Sequence, residues 1–393
     1  MRTDYQSGLL QVSAAIHNYY GIATGYHGDD TVSAWLHDHG FRCVIVLLVD
    51  AMGSTILDNL LARDTFLYQY RAKSVMSVFP PTTTAATTSL LTGKSPAENG
   101  WLGWNQYFEE LDDEVILFLE QSYYGKEKYS GFVQETLPVR WLMDRLQEKG
   151  IHAESVWPSF GKENPCHTFA ELCDKTRELS QNTDVQFIYA YWDGFDDLMH
   201  MHGTEAPVVR RTLRHIDEEI THMAYSLPED TGLLVLADHG MVDIESYDLS
   251  KDKELCATFR HKPALEQRAT AFYIREDKYT WFEELFHNRF GNAFELLRQQ
   301  EVLQKKVFGP GIMERHVPQF VGDYLAIANT PLSLIYGKKP MKAHHAGGME
   351  DELMIPLILY PQRRKDEYNE THEKNRNCMD VHSAFACDGM HEK

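Results

Sequence analysis

The sequence is short of several things, and each shortage excludes a class of protein. Its 393 residues include only six cysteines, at 43, 166, 173, 256, 378 and 387, with no CxxC pair. Disulfide scaffolding and cysteine-ligated metal sites are therefore not expected, and reduced thiols point to the cytoplasm. No stretch reaches the ~18 apolar residues of a membrane span. Lys and Arg number 38 against 58 Asp and Glu, for a net charge of −20. No basic cluster relieves this, which argues against nucleic-acid partners gripped through phosphates. No internal repeat is apparent. The stretch from Met1 to Ile22 has no continuous apolar run and carries Asp4, so it is not read as a signal peptide. Leu9, Leu10, Val12, Ala15, Ile16 and Tyr19 recur there at helical spacing, which predicts an amphipathic helix.

Apolar runs of strand length are present instead. Cys43 to Val49 is continuous and ends at Asp50. Val185 to Trp192 precedes Asp193, Leu233 to Ala237 precedes Asp238, and Ile355 to Tyr360 is the last. Such runs suit strands buried on both faces. Between them lie helical patterns: Ser54 to about Arg63, Thr136 to Lys149 with Pro138 in its first turn and Gly150 past its end, and Val208 to Leu227. The alternation predicts an α/β fold, a doubly wound, mainly parallel central sheet with helices on both faces. One domain would span 1–361, with insertions near 101–131 and 243–321 lying over the sheet edge as caps. The second insertion contains a strand candidate, Ala269 to Arg275, and two helices. Residues 362–393 read as a polar C-terminal extension.

The stretch Phe79-Pro80-Pro81-Thr82-Thr83-Thr84-Ala85-Ala86 through Thr92-Gly93 is the organising one. The prolines discourage helix before Thr82, a threonine can cap the helix that follows, and Gly93 stops it. A threonine hydroxyl would then sit beside the free amides of a helix start, a ready anion site. It can serve as a nucleophile once its pKa is lowered.

Acidic and histidine residues that could do this through metal ions follow the apolar strands. Asp50 follows the first. Asp238-His239-Gly240 follows another. Asp196 and His200 are four apart and share a helix face. His345 precedes Ala346-Gly347-Gly348, where backbone can pack close to a site. Asp, His and hydroxyl donors suit zinc, or manganese where carboxylates dominate. Each pattern alone has an ordinary reading: a helix cap, a turn, a solvated helix start. Their joint occurrence, in this order on this strand pattern, is what points to chemistry.

In these motifs the sequence resembles the alkaline phosphatase superfamily, and within it the type I phosphodiesterase/nucleotide pyrophosphatase family, over about residues 43–360. Val46-Leu47-Leu48-Val49-Asp50-Ala51-Met52-Gly53 resembles the first metal-binding strand and turn. The threonine-rich segment resembles the nucleophile segment, and counting back from Thr92-Gly93 places the nucleophile at Thr83, with Thr82 and Thr84 as competitors. Asp196 and His200 match the Asp-x-x-x-His segment, Asp238-His239-Gly240 the Asp-His-Gly motif, and His345-Ala346-Gly347 the final histidine segment. The resemblance implies two divalent ions, zinc first and manganese second. One would be held by Asp50, Thr83, Asp238 and His239, the other by Asp196, His200 and His345. It also implies an asparagine that steadies a phosphoryl oxygen. Asn105 falls near that place with slightly different spacing, while Ala86 stands where many members carry another asparagine.

The activity so implied is hydrolysis of a phosphate diester or pyrophosphate bond of a small phosphate ester or nucleotide, through a phosphothreonine. Monoester phosphatases and phosphonate hydrolases of the superfamily are the nearest rivals. A non-catalytic metal-binding protein is the rival from another class. A sulfatase is excluded, because no C/S-x-P-x-R pattern occupies the nucleophile segment. Diesters are expected over monoesters because no arginine lies between Phe79 and Phe108, where Lys94 is the sole cation. A guanidinium fork would serve the extra charge of a monoester; only a distant residue such as Arg268 could bring one. Trp101, Trp104, Tyr107 and Phe108 could stack on a substrate ring or form cap core.

Overall fold

The computed structural model describes residues 5–361. The expected C-terminal extension, with Cys378 and Cys387, lies outside the described residues, as do residues 1–4. Seven strands form the central sheet in the spatial order Arg71–Met76, Met354–Tyr360, Thr231–Leu236, Cys43–Val49, Phe187–Trp192, Ala153–Pro158 and Pro165–Cys166. Cys43–Val49 lies at the centre and is buried at every position, as its lack of alternation requires. It pairs in parallel with Thr231–Leu236 and Phe187–Trp192, and the outer two strands continue in parallel. Met354–Tyr360 alone runs against both its neighbours. The sheet is thus mainly parallel, and the helices Phe169–Ser180 and Leu142–Glu148 pack on it.

A second sheet of seven strands is antiparallel throughout. Its order is Phe294–Arg298, Tyr324–Ala328, Ala269–Ile274, Phe259–Leu265, Asn105–Phe108, Asp113–Ile116 and Gln121–Ser122. Trp101, Tyr107 and Phe108 are buried in the apolar cluster on this sheet. Trp104 stays 37% exposed.

Several local expectations are corrected. The N-terminal helix, Leu9–Tyr19, is buried at every residue from Leu9 to His17 rather than along one stripe. It is wedged against the helices Thr83–Thr92 and Asp30–His39, and Ser13 Oγ donates to Leu90 O at 2.7 Å. The helix expected over Thr136 to Lys149 is two, Phe132–Thr136 and Leu142–Glu148. Pro138 falls in the break, since it can neither donate to the preceding turn nor leave Leu137 helical. Met354–Tyr360 looks like its parallel neighbours in sequence because an apolar run carries no direction.

Candidate metal and catalytic site

The candidate residues leave the central sheet at the ends of its strands. Asp50 follows Cys43–Val49. The next residue, Ala51, has φ 59, a strained conformation for a side chain, and its amide donates to Asp238 Oδ1 at 3.1 Å. Asp238 and His239 follow Thr231–Leu236 across the parallel pairing. Behind them Gly240 is required by space: a Cβ there would collide with the Asp351 carbonyl oxygen. Asp50, Asp238 and His239 bring ligand-type atoms within 4.8 Å of one another. His239 Nε2 lies 3.2 Å from Asp50 Oδ1 and 3.5 Å from Asp238 Oδ2.

A second cluster joins Asp196, His200 and His345 within the same limit. Asp196 and His200 lie on the helix Gly194–His202, and its pitch sets His200 Nε2 3.1 Å from Asp196 Oδ2. His345 Nε2 is 3.9 Å from Asp196 Oδ1, and its ring stacks on that of His239 at 3.8 Å. The two clusters therefore share one wall.

The helix Thr83–Thr92 points its first turn at this wall. Thr83 Oγ1 donates toward Asp50 Oδ2 at 3.2 Å and lies 3.3 Å from His239 Nε2. Thr82 occupies the capping position but does not cap. Its hydroxyl donates to Glu266 Oε1 at 2.7 Å, which leaves the first-turn amides without a side-chain acceptor. Asn105 is buried on the second sheet, and its Nδ2 donates to Glu114 Oε2 at 3.0 Å. Glu114 faces Tyr107 across the hairpin, so it lies diagonal to Asn105 on the same face. Arg268 does not serve the site. Its guanidinium is fully buried, forked onto Glu352 at 2.6 and 2.8 Å, and donates to the Thr330 and Leu332 carbonyls at 2.9 Å.

Three observations test these residues against divalent ions, and all fit. Each candidate histidine fixes Nδ1 on a backbone carbonyl: His200 on Ala343 at 2.8 Å, His239 on Gly240 at 2.9 Å, His345 on Pro81 at 3.2 Å. That leaves Nε2 of each turned to the cluster, the arrangement by which ligating imidazoles are held. Asp196 Oδ1 and Asp238 Oδ2 are buried with no hydrogen-bond partner, a costly state unless a cation meets them. The charges also demand a cation. Burial, then Asp196, raises the Asp50 carboxyl above its ordinary value, and burial, then Asp50, pushes Asp238 up to about 7. Burial opposes charge on His239, but Asp238 and Asp50 outweigh it and push the imidazole up to about 10. Burial and the neighbouring histidines 239, 344 and 200 hold His345 well below the usual range, so it offers a free lone pair.

Sequence reasoning missed several groups. Tyr191 Oη donates to Asp50 Oδ2 at 2.5 Å from the neighbouring strand; a hydroxyl inside an apolar run near a strand end was the available signal. Glu266, Glu114 and Glu352 had none, because each meets its partner only through sheet pairing or loop packing.

The described fold is shared with solved structures of low identity. Murine ectonucleotide pyrophosphatase/phosphodiesterase 5 superposes with a TM-score of 0.63 at 16% identity, covering 80% of this chain and 87% of that one. The human protein gives 0.63 at 15%, covering 81% and 87%. Phosphonoacetate hydrolase from Sinorhizobium meliloti 1021, solved with phosphonoacetate, gives 0.61 at 12%, covering 82% and 92%. These likenesses define an alkaline phosphatase-like α/β fold. Residues 44–260 match the family model of type I phosphodiesterase/nucleotide pyrophosphatase, and the chain belongs to that family of phosphoric ester hydrolases. No match is found among curated protein sequences. Among the described residues no helix is long and apolar enough to cross a membrane.

Proposed function

We propose that the protein hydrolyses a phosphate diester or pyrophosphate bond of a small nucleotide-like substrate, with Thr83 as nucleophile. The observation that carries this is the Thr83 hydroxyl at an uncapped helix start, within 3.3 Å of both Asp50 and His239. Asp50, Thr83, Asp238 and His239 would hold one divalent ion, and Asp196, His200 and His345 the other. The mixed imidazole and carboxylate donors favour zinc. When bound, such ions supply positive charge to the phosphoryl and departing oxygens.

The chain's own groups do the rest. Thr83 Oγ1 forms a bond to phosphorus as the bond to the leaving oxygen breaks, and water later releases the phosphothreonine. The first-turn amides and Asn105 Nδ2 would steady the equatorial oxygens, where fixed donors stabilise growing charge. Glu114 keeps the Asn105 amide from rotating. Diesters are favoured over monoesters, because Arg268 is committed to Glu352 and no arginine lies between Phe79 and Phe108. Murine ectonucleotide pyrophosphatase/phosphodiesterase 5 has been solved as an inactive threonine-to-alanine variant in complex with AMP, which supports both a nucleotide substrate and a threonine nucleophile here. The cytoplasm is the proposed compartment, supported by the four described cysteines all being free.

The test is turnover of bis-p-nitrophenyl phosphate and p-nitrophenyl phosphate by the zinc-loaded chain and its Thr83→Ala variant. Diester turnover that disappears in the variant is expected. Near-normal activity of Thr83→Ala, with Thr82→Ala or Thr84→Ala dead, would move the nucleophile. A monoester preference of about tenfold, ~1.4 kcal/mol in transition-state binding, would reverse the substrate assignment.

A further inference from the structure

A small open pocket lies on the second sheet, and Asn105 and Glu266 form part of its wall. Glu266 links this wall to the proposed site, since it accepts from Thr82, the residue before Thr83. Its far side is made by Tyr123 and Tyr124, after the strand Gln121–Ser122, and by Tyr336 and Lys338, after the strand Leu332–Ile335. Lys338 Nζ lies 4.0 Å from the ring centre of Tyr123 and 4.9 Å from that of Tyr124. Lys262 Nζ lies 4.2 Å from the same Tyr124 ring. One tyrosine thus carries two ammonium groups.

That arrangement is costly unless something negative joins it. Like charges brought together repel, and ring faces repay only part of it. Among the described residues neither lysine has a carboxylate within 4 Å; Lys338 donates instead to Tyr123 O at 2.8 Å. The nearby acids do not cancel the charge. Glu114 is buried and pushed up to about 9 by that burial against the pull of both lysines, so it carries its proton at neutral pH. Burial pushes the Glu266 carboxyl up to about 7, and its Oε1 is held by Thr82 Oγ1 and the Trp104 amide. In a chain of net charge −20, two ammonium groups with no carboxylate within 4 Å, Lys338 in the pocket wall and Lys262 exposed beside it, are a feature with a use.

We infer that Lys262 and Lys338, set on Tyr123 and Tyr124, form a subsite for a second anionic group carried on the leaving half of the substrate. This rests on the proposed function and deepens it. The shared chemistry is a phosphate or carboxylate beyond the scissile bond, met by the two ammonium groups. Simple diesters with uncharged leaving groups leave the lysines unused. For a dinucleoside pyrophosphate the step balances with water alone. The P–O bond to the bridging oxygen breaks, water's oxygen ends on the attacked phosphorus, and the bridging oxygen leaves on the second monophosphate and takes a proton.

The test uses the full zinc-loaded chain and the variants Lys262→Met, Lys338→Met and the two together, which keep stems over the rings and delete charge. The paired variant should lose about tenfold or more in specificity constant for diadenosine 5′,5′-pyrophosphate, the effect of removing charge-assisted contacts. Bis-p-nitrophenyl phosphate, whose leaving half is uncharged, should change less than about twofold. Phosphonoacetate separates the sources: a loss confined to it assigns the subsite to a carboxylate, a loss confined to the pyrophosphate to a phosphate, and either supports the inference. An equal loss on all three substrates, or none on any, overturns it. Calorimetric titration of Thr83→Ala protein with ADP and AMP decides the subsite without turnover. Tighter binding of ADP, abolished by the lysine substitutions, supports it, and a preference that survives them overturns it. Absence of diester turnover in every protein would defeat the proposed function and leave this binding comparison to judge the subsite.

Discussion

Replacing Arg268 by methionine should cost about 3–5 kcal/mol, the penalty for breaking a buried ion pair from one side. Both partners are fully buried. The substitution removes two hydrogen bonds to Glu352 and one each to the Thr330 and Leu332 carbonyls. It leaves a buried carboxylate supported by two amides, those of Gly347 at 2.7 Å and Met349 at 3.2 Å. Against a typical total of ~5–15 kcal/mol, that is a large fraction. Arg268→Met/Glu352→Leu removes the uncompensated charge and should recover ~1–4 kcal/mol of the loss, though Gly347 and Met349 then lose their acceptor. The Gly347 amide follows His345 closely, so the zinc equivalent held with His345 should be the one to weaken. Urea unfolding of metal-free protein gives the energies, and elemental analysis after zinc loading gives the occupancy. A single variant within ~1 kcal/mol of wild type, the range of an ordinary surface change, would refute the energetic reasoning. Two full zinc equivalents in that variant would refute the link to the His345 loop.

Three other outcomes are expected. Two divalent ions, most of them zinc, should be found per chain by elemental analysis of protein purified without chelator; removing them should lower stability by ~4 kcal/mol for each ion where free zinc stood 1,000-fold above its dissociation constant. Glu114→Gln should flatten part of the pH dependence of stability. The Glu114 carboxyl, pushed up to about 9 by burial against an ordinary 4.5, holds its proton more tightly folded than unfolded, so its contribution falls as pH rises between those values, by at most ~1.4 kcal/mol per unit. Urea midpoints at pH 5.5 and 8 should therefore diverge more in wild type than in the variant, while turnover persists because glutamine still offers Asn105 an oxygen. Gly240→Ala should destabilise by ~1–3 kcal/mol or more and lower zinc uptake, since the new methyl meets the Asp351 carbonyl; a thermal melt and elemental analysis check both.

Four of the seven strands of the central sheet were legible because burial on both faces leaves a plain mark, an apolar run; Arg71–Met76, Ala153–Pro158 and Pro165–Cys166 carry none. Asp50, Asp238 and His239 were legible for the same reason, since they sit where those runs stop, whereas Asp196 and His200 were read from helical spacing and His345 from the glycines after it. Direction was not legible, so Met354–Tyr360 gave no sign of running against its neighbours. The second sheet was seen only as aromatic and acidic intervals with one strand candidate. Its short strands borrow their order from partners far along the chain: Leu265 pairs with Asn105. Arg268 illustrates the limit most clearly. As a lone basic residue it could be imagined reaching the phosphate, and only packing shows it bound to Glu352, 84 positions away.

The strands of the second sheet alternate along the chain with the segments that carry the candidate ligands. Asn105–Phe108 to Gln121–Ser122 come after Asp50 and before Asp196, and Phe259–Leu265 to Tyr324–Ala328 come after His239 and before His345. The proposed subsite and the candidate ligands are thus stitched together in one thread. A related enzyme cannot lend its specificity to this one as a single contiguous graft, because the hairpin bearing Asn105 and the strand bearing Lys262 would have to travel together. Divergence within such an architecture must proceed by point changes and loop lengths around a shared frame.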